Sequence, residues 1–99
     1  MSMAAKIEQP VMVEKENIPI LRFSNDEVLA SDDAIKSRRL DLERALKLGN
    51  IEHGKIKIIF EDTEGVKQVE TTIWGVTDKR IILKQGVVIP IHRIHEVKI

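Results

Sequence analysis

His53, His92 and His95 are the chain's only nitrogen ligands for a soft metal, and there is no cysteine to add a thiolate. Zinc needs three or four ligands held close together. His92 and His95 stand three residues apart on a stretch that does not read as a helix, so their rings should diverge, and His53 lies far upstream. All three are explained as turn and surface residues, so no metal or other cofactor is expected. Nucleophilic catalysis also lacks its parts. Ser24 and Ser31 sit where helix caps are wanted. There is no Gly-x-Ser-x-Gly elbow, no glycine-rich phosphate loop and no tyrosine. The carboxylate pairs Asp32–Asp33 and Asp62–Glu64 fall at a helix start and in a hairpin turn, where capping and turn formation already call for them. The residues read as those of a non-enzyme.

Binding chemistry is better supplied. Trp74 is the only tryptophan among 3% aromatics. Aromatics dominate interface energetics, so an exposed Trp74 is a candidate anchor; a Trp74 turned inward is simply core. Lys36, Arg39, Arg44 and Lys47 spread over a broad arc of one helix, interrupted by Glu43. This is either a solvated face or, through Arg39 and Arg44, a phosphate-binding one. Arg38 projects towards the apolar side of that helix and is expected to snorkel, its head in water. Charge is high but balanced, 16 basic residues against 16 acidic. A general polyanion binder would carry a positive excess, because phosphate neutralisation supplies most non-specific affinity. A local patch reading one phosphate or one RNA end remains open.

These groups are positioned by one helix and a run of strands. Ninety-nine residues with 42% hydrophobic content suit one domain. No apolar run approaches the roughly 20 residues of a membrane helix, and Met1–Ala5 leads into charge rather than a signal core. A cytoplasmic home with no membrane partner is expected. Residues 1–17 lack a stable period and read as a mobile tail, with Val11–Val13 as the alternative edge strand. The domain then spans residues 18–99. Pro19 confines the segment around it to an edge. Ser24-x-x-Glu27 has capping-box spacing, and Ser31 offers a second helix start. From there to Leu48 good helix formers continue, Ile35, Leu42, Ala45 and Leu46 share one face, and Gly49-Asn50 suggests the stop.

After His53 everything reads as strand. Ile56, Ile58 and Phe60 alternate inwards, residues 61–65 turn, and residues 66–76 form a long β-rich run with Gly75 as the expected bend. Arg80–Lys84, Val87–Ile91 and His95–Ile99 complete five strands, with one short turn before the last. The reading is α+β, mainly β: a helix packed on a five-stranded, strongly bent antiparallel sheet. Over residues 32–99 this element order resembles the small SH3-like and Sm-like barrels, in which closure removes exposed edges.

The string Ile89-Pro90-Ile91-His92-Arg93-Ile94 resembles the closing motif of a small RNA-repair-associated domain that recognises cyclic-phosphate RNA ends. That likeness implies phosphate contacts for His92 and Arg93. The family's aromatic third position is Ile91 here, and its upstream tryptophan-bearing helix is missing. The layout Ile-Phe-Glu-Asp, Thr-Thr-Ile-Trp and Ile-Pro-Ile-His-Arg-Ile is also similar to that of a group of short bacterial proteins with no assigned role. Two functions follow as expectations. The first is a non-catalytic binding module that engages a protein partner, or itself as a homo-oligomer, through a sheet edge or Trp74. The second is recognition of an RNA end or loop by His92, Arg93 and the basic helix face.

Overall fold

The computed structural model describes residues 9–99. Ser31 caps the single helix, α1 (Asp32–Glu52), by accepting the Ala34 N–H at 3.1 Å, and Asp32 and Asp33 place negative charge at its positive end. The helix runs through Gly49 and stops at His53, which takes the left-handed conformation (φ 55°) and donates its N–H to the Gly49 carbonyl. Gly49 is therefore not the expected stop. A Cβ there would lie 2.6 Å from the Ile73 carbonyl oxygen, so this glycine lets the helix press onto a strand backbone. Ser24–Glu27 forms no helical turn; the chain bends at Asn25 and Asp26 instead.

Two ladders follow. The first is ordered β1–β3–β2–β7, from β1 (Val11–Met12), β2 (Ile56–Asp62), β3 (Gly65–Thr71) and β7 (Ile94–Lys98). The second is β4 (Ile73–Val76), β5 (Arg80–Leu83) and β6 (Val88–Pro90). Strand β1 runs parallel to β3, and every other pairing is antiparallel. Of the expected tail, residues 1–8 lie outside the described residues; Val11–Met12 pair with β3, and Ile18 is buried in the core.

The expected long bent strand is present as β3 and β4, but it breaks at Thr72 rather than Gly75. Thr72 donates its hydroxyl to Gly54 O and accepts the Lys84 N–H, so bonds from two directions hold the corner. The outcome is two separate ladders and not one closed five-stranded barrel. A single 3₁₀ turn, Ile91–Arg93, carries the chain from β6 back to β7, which pairs with β2.

The core lies between the two ladders and under α1. Ile56, Ile58, Phe60 and Val69 face Ile73, Ile81, Leu83 and Ile89, with Leu42 and Ala45 of the helix and Ile94 and Val97 of β7. Ile94 and Val97 are both buried although three apart, because β7 carries a bulge: Ile59 pairs with Glu96 and Phe60 with Ile94. The extra residue, His95, is thereby turned towards Glu61.

Candidate functional site

Residues 21–30 have no regular structure and form a strap across one end of the molecule. Buried bases hold it. Arg38 is 4% exposed at its side chain and grips the Glu27 carboxylate twice, Nη1 to Oε2 and Nη2 to Oε1, each at 2.7 Å. Its Nη1 also donates to Ile94 O at 3.0 Å, and its Nε has no partner among the described residues. The arginine expected to snorkel into water is a buried cross-brace between helix, strap and β7. The Arg38 hydrogen bond holds the Glu27 carboxyl below its usual range, against the opposing effect of burial, and the Leu29 N–H adds to it.

Arg93 and His92 make the same kind of contact. Arg93 is buried; it donates from Nη1 to Asp26 O at 2.7 Å and from Nε to Glu61 O at 3.2 Å. Its guanidinium also lies 3.4 Å from the Asp26 carboxylate and 3.8 Å from that of Glu61. His92 donates from Nε2 to Ser24 O at 2.9 Å and accepts the Val28 N–H on its backbone carbonyl. The pair for which the resemblance implies phosphate contacts is thus engaged with the strap. Among the described residues no group of three or more histidines, cysteines or carboxylates is placed to hold a metal ion.

The other candidates are dispersed. Arg39 donates to Thr77 O (3.0 Å) and Asp78 O (3.2 Å), fastening the β4–β5 turn to the helix. Arg44 is solvent-exposed and only 3.5 Å from Asp41. Trp74 is 53% exposed. Ile73 pairs with Leu83 and Gly75 with Ile82, so Trp74 is the unpaired residue of a β-bulge. Strand alternation sets the indole on the face opposite buried Ile73, and the bulge returns Val76 towards the core.

Sequence reading missed a groove of about 730 Å³ between the strap, the first turns of α1 and strand β6. Ile18, Leu21, Phe23 and Ile35 wall it on one side, and Val88, Pro90 and Ile91 on the other. Arg39, Lys79 and Arg80 stand around it with Asp78. Phe23 is seated by the core, its ring centroid 6.1 Å from that of Phe60. Pro19 and Pro90, each a marker of an irregular edge, were its signals in the sequence.

No protein family, curated protein or solved structure matches this chain. Among the described residues no helix is long and apolar enough to cross a membrane.

Proposed function

We propose that this protein is a non-catalytic binding module on an SH3- or Sm-like scaffold, engaging a protein partner or a second copy of itself through the surface around Trp74. The scaffold reading is supported by order and pairing: a helix, then β2, the bent run β3–β4, β5 and β6, one 3₁₀ turn, and β7 returning to pair with β2. A cytoplasmic location fits that reading. The observation that carries the function is the half-exposed Trp74 on a bulge. Large aromatics are costly to leave in water, and bulges re-aim side chains next to functional surfaces. The RNA reading has less support, because His92, Arg93 and Arg39 direct donors to the protein's own carbonyls.

Affinity capture tests this reading with tagged wild type and Trp74→Glu, both checked for native circular dichroism. Wild type is expected to retain a protein, foreign or its own untagged copy, that Trp74→Glu loses. Retention of the same proteins by both, of RNA that high salt strips away, or turnover of a small substrate would overturn it.

A further inference from the structure

We infer that the groove beside β6 accepts an extended, acidic peptide segment of a partner protein as an added strand. The inference rests on the binding-module reading and names the partner's chemistry at a surface separate from Trp74.

Three observations converge on this groove. The first is an edge whose outward peptide groups are unpaired, beside the 3₁₀ turn Lys15–Ile20 that packs against β6. The β5–β6 ladder bonds through Ile81 and Ile89, flanked by Leu83 N–H to Val87 O at 2.6 Å and Ile91 N–H to Lys79 O at 2.9 Å. In an antiparallel pair the intervening residues turn their peptide groups the other way. Val88 N–H, Val88 C=O and Pro90 C=O therefore face away from β5, and none of them is bonded among the described residues. Such an edge is a template for an incoming strand, with main-chain bonds supplying affinity and side-chain pockets specificity.

The second observation is an apolar surface on the same edge. Val88 is 41% exposed, and the half-buried Leu21 and Ile35 also line the groove. Its volume of about 730 Å³ lies within the range of sites that bury a ligand's side chains. The third is charge. Arg80 pairs with Pro90 of β6, Lys79 accepts the Ile91 N–H just beyond it, and their side chains form no ion pair among the described residues. Arg39 adds a third cation, already bonded to two carbonyls. Against these stands the Asp78 carboxylate, while Glu27 is neutralised by Arg38.

That balance selects the occupant. A second copy pairing edge to edge through β6 would bring Lys79 and Arg80 against their own counterparts, with only the Val88 N–H to donate from each side. An acidic strand meets opposite charge instead and supplies its own donors to the Val88 and Pro90 carbonyls.

The test is a titration of the full chain, followed by backbone amide NMR, with a capped six-residue peptide alternating Val and Glu. A Val–Lys peptide and a medium-chain carboxylate serve as comparisons. Saturable shifts are expected at Lys79, Arg80, residues 88–92 and residues 18–23. High salt and the exposed pair Lys79→Glu/Arg80→Glu should each weaken binding by about tenfold or more. Val88→Pro, which removes the outward N–H, should weaken it without altering the spectrum's dispersion. No saturation at millimolar peptide, equal response to the Val–Lys peptide, or response to the carboxylate alone would overturn the inference. Shifts confined to the Trp74 face, or a captured protein lost with Trp74→Glu but kept with Lys79→Glu/Arg80→Glu, would overturn it while leaving the binding-module reading standing. Capture of nothing by wild type would bring down that reading itself.

Discussion

Glu27→Ala removes one partner of the Arg38 brace and leaves the other where water cannot reach it. The guanidinium, 4% exposed, keeps a single bond to Ile94 O, and its Nε is already without a partner. Breaking a buried ion pair from one side costs about 3–5 kcal/mol. Glu27 is itself 29% exposed, so water replaces part of what is lost, and the expected cost is about 2–3 kcal/mol. A domain of this length has about 5–15 kcal/mol in total. In urea, with a slope of about 1–1.5 kcal/mol/M, the midpoint should fall by about 2 M at neutral pH while the slope is unchanged. Adding Arg38→Met to Glu27→Ala should restore part of the loss, because no charge is then left buried and alone. A single variant within about 0.5 kcal/mol of wild type, or a double variant showing the plain sum of the two losses, would refute the reasoning.

The same pair sets an acid limit. The folded pKa of Glu27 is held below the ordinary 4.5, so its contribution is complete above that value and is lost as pH falls through the folded one. Glu27→Gln should flatten this part of the stability–pH curve measured by urea titration. Asp62 behaves alike from 3.8 downwards: burial raises its pKa, but the Lys67 ammonium (2.9 Å) and the Glu64 and Gly65 N–H groups outweigh that, so Asp62→Asn should remove a further acid-sensitive share. Gly49→Ala gains about 1 kcal/mol of helix propensity but drives a methyl into the Ile73 carbonyl, for a net loss of about 1–2 kcal/mol by calorimetry. Arg93→Ala should cost about 2–4 kcal/mol, because the Asp26 and Glu61 carbonyls lose their donor and both residues' carboxylates lose a neighbouring cation; an unchanged melting temperature would show that the strap is not held this way.

What could be read from the sequence was local. The Ser31 cap, the amphipathic face carrying Leu42 and Ala45, the Asp62–Gly65 hairpin and the alternation in β2 each depend on residues a few positions apart. What could not be read was long-range. The bend falls at Thr72 because its hydroxyl and carbonyl find Gly54 and Lys84. Gly49 looked like a stop because the strand pressing on it arrives from residue 73. Arg38 and Arg93 looked free because their acceptors lie between 11 and 67 residues away. No periodicity announces such a pairing. Of the candidate site, Trp74 was identifiable as the lone indole, which strand alternation sets opposite buried Ile73, but the groove beside β6 depended on how the strap folds back.

Trp74 also supplies the most direct test of the binding surface, since it is the sole tryptophan and its emission reports on one place. Quencher accessibility should be measured on the dilute isolated chain, and again on the concentrated chain and on the captured complex. The account predicts a solvated, freely quenched indole in the first state, and a blue-shifted, protected one wherever a partner or second copy is bound. Equal accessibility in every state, with the bound species still present, would contradict it.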